Sequence, residues 1–207
     1  MAVSTAFVLT RARNNVSKTL EAIRSVCGIF DGRICGMEFF DVINKRGSYR
    51  GAFEEIEIPR CDLEAMLEAG IRAPSGYNFQ TTSFIVVTRP ELKKKLAQLV
   101  DTEAMKTASA IIVPLSEHRE AANGLSFETE DYAAAVAQLL LAVTALGYAA
   151  VWVDGQVKMN HVQERVVELL DVGEHQCVRA LIPIGKPVDD VVQREKKPIS
   201  ERVIFME

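Results

Sequence analysis

The stretch Ala73-Pro74-Ser75-Gly76-Tyr77-Asn78-Phe79-Gln80 joins an amphipathic helical segment to the apolar segment 83–87. Proline fixes one backbone angle, and glycine permits conformations that other residues avoid. Ser75, Asn78 and Gln80 add polar side chains that can bond either the backbone or a ligand. Because this polar turn lies where the chain enters a core, it predicts a loop shaped around a flat, polar ligand.

Helical and strand patterns mix on both sides of the turn. The spacing of apolar residues predicts helices over 37–45, 59–71, 131–146 and 159–170. Short apolar runs rich in β-branched residues predict strands at 83–88, 110–115, 149–153 and 178–184. The chain has no internal repeat and no low-complexity linker, so the expected fold is a single α+β domain.

The composition is that of an ordinary soluble globular protein. The 207 residues are 48% apolar and 25% charged, which suits one well-buried core. A net charge of −4 argues against a nucleic-acid surface, and no apolar run approaches the roughly 18 residues of a membrane span. Cys27, Cys35, Cys61 and Cys177 form no CxxC pair, which predicts reduced thiols in a cytoplasmic protein.

The first 36 residues differ from the rest of the chain. Between Met1 and Lys18 there are basic residues and no acidic ones, which is weakly similar to an organelle transit peptide. A loosely docked N-terminal helix and a translation start at Met37 are the other interpretations. We therefore divide the chain into an N-terminal extension of uncertain role over 1–36 and one domain over 37–207.

Three further clusters are candidates for ligand binding. Arginine forms two parallel charge-assisted bonds to a phosphate, so Arg46-Gly47-Ser48-Tyr49-Arg50 is a candidate phosphate site. Asp154-Gly155 follows a buried strand, where its amides can point at a ligand, and Arg194-Glu195-Lys196-Lys197-Pro198 is a basic patch. Taken singly, each is better explained as surface charges, a plain turn or a solvated tail.

Other kinds of site lack their signatures. The histidines His118, His161 and His175 form no HExxH motif, and no regular ligand spacing surrounds them, so no metal site is expected. The chain has neither a Walker glycine loop nor a GxSxG motif. No side chain stands out as a catalytic acid or base.

In chain order, the clusters resemble the motif set of the nitroreductase-like flavoprotein family. The matching segments are RGSYR at 46–50, APSGYNFQ at 73–80, GYAAVWVDG at 147–155 and LIPIGKP at 181–187. The resemblance covers 37–207, which it identifies as a flavin-binding domain, and leaves out 1–36. It implies an α+β fold with a central, mostly antiparallel sheet flanked by helices, assembled as a homodimer.

The resemblance also assigns residues to the cofactor FMN. It implies that the phosphate and ribityl chain are held by Arg46, Ser48 and Arg50. It implies that the flavin ring is approached, often from the partner subunit, by Pro74, Ser75, Asn78 and Gln80. The backbone of Asp154 and Gly155 would face the reactive ring nitrogen, and the distal phosphate ligands would be Arg194 and Lys196.

Two departures from the family pattern affect these assignments. Gly47 stands in the arginine cluster where the family usually has a larger residue, so we expect one contact to FMN to be missing. The interval between the strand at 111–113 and the long helix is short, and the step after Gln80 lacks the usual Q-P-W sequence. We therefore expect a relatively open pocket.

The function implied by the resemblance is that of an FMN-dependent oxidoreductase. NADH or NADPH reduces the flavin and leaves, and an electron-poor acceptor such as a nitroaromatic or quinone then takes its place, which is a ping-pong mechanism. The departures leave two alternatives open. One is a flavin-binding protein, acting in sensing or flavin handling, without efficient turnover. The other is a relative that shares only the fold.

Overall fold

The computed structural model describes residues 37–207, and the prediction made for 1–36 lies outside them. The described helices are α1 (Phe39–Lys45), α2 (Arg60–Ile71), α3 (Pro90–Leu99), α4 (Glu103–Thr107), α5 (Glu128–Ala145) and α6 (Val162–Leu170). The described strands are β1 (Thr82–Val87), β2 (Ala110–Glu117), β3 (Ala149–Ala150), β4 (Gln176–Val178) and β5 (Ile182–Gly185). Short 3₁₀ turns cover Gly76–Asn78 and Ile199–Glu201.

The strands form one sheet around β2, the longest of them. The order is β1–β2–β5–β3. Strand β4 also pairs with β2, at the C-terminal end of β2. Every strand pair is antiparallel. The α+β class and the antiparallel sheet predicted from the sequence are confirmed.

Two apolar layers cover the two faces of this sheet. Alternate residues of a strand point to opposite faces, and β2 accordingly sends Ile111 and Val113 into one layer and Ile112 into the other. Helices α3, α4 and α6 bury their apolar residues in the first layer, whereas α2 and α5 do so in the second. None of the helices within 37–207 combines the length and the apolar character needed to cross a membrane.

One predicted strand is wrong in detail, because 178–184 is two strands. Val178 pairs with Leu115 of β2, and Ile182 pairs with Ile112 of the same strand. Between these two pairs the chain advances four residues, from 178 to 182, while β2 advances three, from 112 to 115. The extra residue interrupts the ladder of hydrogen bonds as a β-bulge does. At the break, the Arg179 amide donates to the Pro114 carbonyl at 3.0 Å.

The segments around 149–170 are also more irregular than predicted. Strand β3 ends at Ala150, and beyond it only the isolated bridge between Val153 and Leu181 continues the pairing. Helix α6 begins at Val162 and not at 159, because Asn160 and His161 adopt left-handed backbone angles with φ of 53° and 56°. Together these irregular segments place a turn at Asp154-Gly155 outside the edge of the sheet.

Candidate functional site

The arginine cluster lies along the edge strand β3. Ser48 forms a parallel bridge with Ala150, and the Tyr49 amide donates to the Ala150 carbonyl at 2.9 Å. An edge strand offers unpaired backbone groups, and this segment uses them. The side chains of Ser48 and Arg50 remain exposed, so backbone pairing fixes the segment while leaving its polar side chains available.

A cavity of about 230 Å³ brings Arg50 together with the Asp154-Gly155 turn. Its other lining residues are Thr102, Ala104 and the rest of 151–156. A Cβ atom on Gly155 would meet nothing within 4 Å, so the backbone here faces open space. The Asp154 carboxylate pairs with Lys158 at 3.2 Å. The cavity therefore offers a guanidinium group and turn amides, two kinds of donor that suit an anionic, ring-shaped ligand.

The C-terminal segment is attached to the same cluster. Gln193 Nε2 donates to the carbonyls of Ile43 and Arg46 at 2.9 and 2.8 Å. This contact brings the neighbouring residue Arg194 to the cluster, and Lys196 follows on the same exposed segment. The residue directly before the basic patch at 194–198 is thus joined to the arginine cluster, and the role of Arg194 and Lys196 stays a prediction.

Gly47 has a structural explanation within this arrangement. A Cβ atom at Gly47 would lie 2.9 Å from Val191 Cγ1 and 3.0 Å from the Val192 carbonyl oxygen. Real Cβ atoms almost never come as close as the first of these contacts. The glycine therefore allows the C-terminal segment to lie directly on the arginine cluster.

The polar turn at 73–80 is built differently. Tyr77, Asn78 and Gln80 have φ of 50°, 55° and 53°, a left-handed region that costs non-glycine residues of the order of 1 kcal/mol or more each. The Gln80 amide donates to Ser75 Oγ at 3.0 Å, which closes the turn on itself. Gly76 fits against Phe127, whose side-chain atoms would lie 2.5–2.6 Å from an added Cβ.

Three of the predicted turn residues, Pro74, Ser75 and Gln80, line a second cavity of about 350 Å³, whereas Asn78 does not. Other lining residues are Thr82 on β1 and Asp131 on α5. The Asp131 carboxylate accepts hydrogen bonds from the Gly76 amide and the Thr81 hydroxyl, both at 2.8 Å. The turn and the arginine cluster therefore line separate cavities, and the single chain does not bring them together.

Each cavity contains a buried polar atom that lacks a partner among the described residues. The indole N–H of Trp152 belongs to a residue lining the cavity of Arg50, and the Thr82 hydroxyl to one lining the cavity of the turn. Buried polar groups in native proteins nearly always have a hydrogen-bond partner. A third such atom, the Ser109 hydroxyl, belongs to a residue lining another groove, so these atoms do not distinguish one cavity from the others.

The interval between β2 and α5 forms a compact hairpin over the turn. Glu120 and Ser126 form an antiparallel bridge at its base. Asn123 Nδ2 donates to the Tyr77 hydroxyl at 3.0 Å, and the Arg119 guanidinium lies 4.5 Å from the centre of the Phe79 ring. The short interval noted in the sequence therefore contacts the aromatic side chains of the turn while leaving Tyr77 exposed.

Ionic contacts join this hairpin to the start of α5. His118 lies between Glu128 and Glu120, with nitrogen–oxygen distances of 3.0 and 3.3 Å, and these two carboxylates raise the pKa of His118. The Ser126 hydroxyl and then His118 lower the pKa of Glu128 to about 2. Arg179 also approaches Glu128, at 3.8 Å. Within 37–207, no group of three His, Cys, Asp or Glu side chains is arranged to hold a metal ion.

Another groove within 37–207, larger than these two cavities, contains none of the predicted site residues. It has a volume of about 940 Å³ and is lined by residues 54–60, Leu63, residues 88–90, Lys93 and residues 107–110. Its wall carries three glutamates alongside Arg60, Arg89 and Lys93. Volume alone would place a site here, but its three glutamates oppose the binding of an anion, and Arg50, Asp154 and Gly155 line the cavity of about 230 Å³ instead.

Sequence reasoning missed the residues that hold the candidate site in place. The buried Tyr49 hydroxyl donates to the Ala52 carbonyl at 2.6 Å and accepts from the amides of Val188 and Asp189 at 3.2 Å each. Asp131 carries no signal beyond being an acidic residue at the start of a helix, which is common there for electrostatic reasons.

The chain is similar to known proteins over most of its length. Residues 43–104 match the sequence model of the Nitroreductase family. A protein of Methanothermobacter thermautotrophicus, named as a proposed NADH dehydrogenase/NAD(P)H nitroreductase, is 30% identical over 80% of this chain and 85% of its own length.

Solved structures give the same result. A nitroreductase family protein from Clostridium novyi has a TM-score of 0.66 and 30% identity, covering 74% of this chain and 87% of that one. The NADPH:FMN oxidoreductase of Vibrio harveyi has a TM-score of 0.71 at 20% identity, covering 82% and 77%, which shows a shared fold. With 30% identity over most of two relatives and a fold in common with a third protein, the chain belongs to the nitroreductase family.

Proposed function

We propose that this protein is an FMN-dependent oxidoreductase that takes reducing equivalents from NADH or NADPH and passes them to an electron-poor acceptor such as a nitroaromatic or a quinone. The observation that carries the proposal is the cavity in which Arg50 meets the Asp154-Gly155 turn, beside the Arg46–Ser48 segment. Family membership, and relatives named NAD(P)H nitroreductase, support an oxidoreductase that uses a nicotinamide donor.

The residues present fit the cofactor. Two guanidinium groups and the Ser48 hydroxyl lie on one edge segment, to which Gln193 also ties the chain leading to Arg194. Guanidinium groups suit a phosphate, and turn amides suit the polar edge of a flavin ring. A solved relative by fold is named as an NADPH:FMN oxidoreductase, which favours FMN among flavins.

Bound FMN would supply the hydride chemistry, and the protein would supply position and electrostatics. In this proposal Arg46, Ser48 and Arg50 bind the phosphate and ribityl chain, with Arg194 and Lys196 as distal phosphate ligands. The amides at Asp154 and Gly155 orient the ring by donating to its edge. Donor and acceptor occupy the same face in turn, which makes the reaction ping-pong.

We further propose that the flavin lies between two copies of the chain. The turn carrying Pro74, Ser75, Asn78 and Gln80 lines a different cavity from Arg50, so a site containing both needs a second chain. Large apolar side chains are also exposed on α1 and near the C-terminus, where Phe40 and Phe205 are each 74% exposed. Exposed apolar patches of this kind are typical of interaction surfaces.

Purification and anaerobic titration test the cofactor and its reduction. We expect a yellow protein with an absorption band near roughly 450 nm that bleaches with NADH or NADPH and recovers when a quinone or nitroaromatic is added. A yellow protein that does not bleach would support the flavin-binding alternative without turnover. A colourless protein that FMN does not restore would exclude both functions.

Mixed subunits test the location of the site. The variants Arg50→Ala and Asn78→Ala are each expected to bind FMN weakly. If a site takes Arg50 from one subunit and Asn78 from its partner, refolding the two variants together creates mixed dimers with one intact site. We therefore expect binding to return to up to half of the sites in mixed dimers. If mixed dimers form but FMN binding does not recover, then either both residues belong to the site of one subunit or Asn78 lies outside the FMN site.

A further inference from the structure

Asp131 is the one charged residue that is buried within 37–207, with 4% of its surface exposed. Burying an ionised carboxylate is costly unless hydrogen bonds or charges offset the loss of water. A carboxylate in this position therefore needs compensating partners.

Both side-chain partners of Asp131 belong to the polar turn and its exit. One carboxylate oxygen accepts from the Gly76 amide and the other from the Thr81 hydroxyl, each at 2.8 Å. Thr81 is itself buried, with 7% of its surface exposed. The carboxylate thus joins the two ends of the segment 76–81, which lie 55 and 50 residues before it in the sequence.

The position of Asp131 in α5 adds electrostatic support. It lies in the first turn of this helix, and its amide donates to the Phe127 carbonyl at 2.8 Å. The N-terminal end of a helix carries a partial positive charge that stabilises an anion. The buried carboxylate is therefore held by a long, rigid helix that packs on the sheet.

The segment that Asp131 holds is a strained one. Tyr77, Asn78 and Gln80 lie between its two anchor points, Gly76 and Thr81, and all three adopt left-handed backbone angles. Strained conformations persist only where the surroundings over-determine them. Gln80 and Ser75 also line the same cavity as Asp131, so the clamp and the ligand-facing side chains share one wall.

We propose that Asp131 is a positioning residue that fixes the turn at 74–80 in the conformation that meets the flavin. The proposal rests on the proposed function, because it assigns the turn to the FMN site. Asp131 acts through Gly76 and Thr81 and has no direct role in the reaction. Its loss is expected to weaken FMN binding while leaving the arginine cluster unchanged.

Substitutions on both sides of the clamp test this role. Asp131→Asn replaces the carboxylate with an amide group, which can no longer accept hydrogen bonds from both the Gly76 amide and the Thr81 hydroxyl. Thr81→Val removes the hydroxyl donor and keeps the shape of the side chain. We expect about tenfold weaker FMN binding in Asp131→Asn, a smaller loss in Thr81→Val and recovery in Thr81→Ser. The exposed neighbour Glu130→Gln is the matched control and should bind FMN as the wild type does.

Two further readouts separate positioning from a purely structural role. The visible spectrum of the FMN that still binds should shift in Asp131→Asn and Thr81→Val, and return in Thr81→Ser. Hydrogen exchange should show faster exchange of the Gly76 amide in Asp131→Asn, measured without FMN. Circular dichroism identifies variants that fail to fold. If Asp131→Asn is one of them, Thr81→Val is used in its place.

The outcomes distinguish the clamp from the function on which it rests. A wild-type protein that takes up no FMN would show that the proposed function is wrong, and with it the flavin-positioning role. Folded variants of Asp131 and Thr81 with wild-type FMN affinity and spectrum would overturn the positioning role alone. Weaker binding with a shifted spectrum, restored by Thr81→Ser, would support it.

Discussion

The arginine cluster and the polar turn occupy opposite structural situations. The segment 46–50 pairs through its backbone with the edge strand β3, in an extended conformation that many side chains can adopt. The turn at 73–80 has three non-glycine residues at positive φ, and hydrogen bonds to the side chains of Ser75 and Asp131 hold it. Backbone pairing tolerates substitution, whereas a strained turn depends on particular side chains. We therefore expect the exposed side chains of the cluster to control ligand affinity, and the turn to control both affinity and stability.

The largest expected effect falls on ligand binding at the cluster. Arg46→Ala removes a charge-assisted contact to the FMN phosphate, and we expect FMN affinity to fall by about 1.5–3 kcal/mol, or roughly 10- to 100-fold. Fluorescence titration measures this affinity, and urea unfolding of the FMN-free protein should change little. Lys95→Ala, an exposed cation on α3, is the control. Unchanged affinity in a folded Arg46→Ala protein would remove Arg46 from the site.

A pair of glycine substitutions compares the polar turn at 73–80 with the turn at Asp154-Gly155, which shares a cavity with Arg50 of the cluster. Gly76→Ala places a methyl group against Phe127, so we expect a loss of about 1–3 kcal/mol in the free energy of unfolding. Gly155→Ala meets nothing within 4 Å, so we expect the free energy of unfolding to stay within about 0.5 kcal/mol. Urea unfolding without FMN measures both. Equal losses in the two variants would show that the polar turn is no more sensitive to an added methyl group than the turn at Asp154-Gly155.

A third prediction concerns the attachment of the C-terminal segment to the cluster. Tyr49→Phe removes the hydroxyl that joins Ala52 to Val188 and Asp189, and we expect a loss of about 1–2 kcal/mol in the free energy of unfolding. Proteolysis should also cut the C-terminal segment more readily in this variant. The exposed Tyr77→Phe provides the comparison, because its hydroxyl accepts a single hydrogen bond from Asn123. Wild-type protease resistance would show that Tyr49 does not hold the segment.

The smallest expected effect is the pH dependence of the hairpin over the turn. Glu128 and Glu120 raise the pKa of His118, so its stabilising contribution is complete below the ordinary histidine pKa and is lost as the pH rises through the raised value. We expect His118→Gln to lower the melting temperature slightly at pH 5.5 and to have less effect at pH 8.5. The pKa of Glu128 is lowered to about 2, so its own contribution is lost only in strong acid, between about pH 4.5 and 2. Equal shifts at pH 5.5 and 8.5 would exclude a charged His118 contact.

The sequence predicted the fold class because its signals are local. Apolar periodicity located β1, β2 and α2 to within a few residues, since each buries one continuous stripe or run. The pattern at 178–184 predicted one strand because the segment is apolar apart from Arg179, whereas the bulge near Arg179 depends on the register of β2. Such registers are set by pairing between distant segments and have no local signature.

In the candidate site, too, local sequence signals were informative and contacts between distant segments were not predicted. Its residues were found through a resemblance in the order of motifs, since two arginines or one turn are uninformative alone. The contact to FMN expected to be missing at Gly47 stays a prediction, and the structure adds that Val191 and Val192 leave no space for a side chain there. Asp131 was missed because an acid in the first turn of a helix is ordinary, and its burial depends on Gly76 and Thr81.

The hairpin between β2 and α5 also bears on how this fold diversifies. Its base is fixed by the Glu120–Ser126 bridge, while its tip at Gly124 has open space around it and a φ of 76°. Lengthening a loop costs little entropy, about 0.6 kcal/mol for each doubling of its length. Chain inserted at this tip would extend over the aromatic side of the turn without disturbing the sheet. The tip is thus a natural place for evolution, or for a library of grafted loops, to change which molecules reach the site.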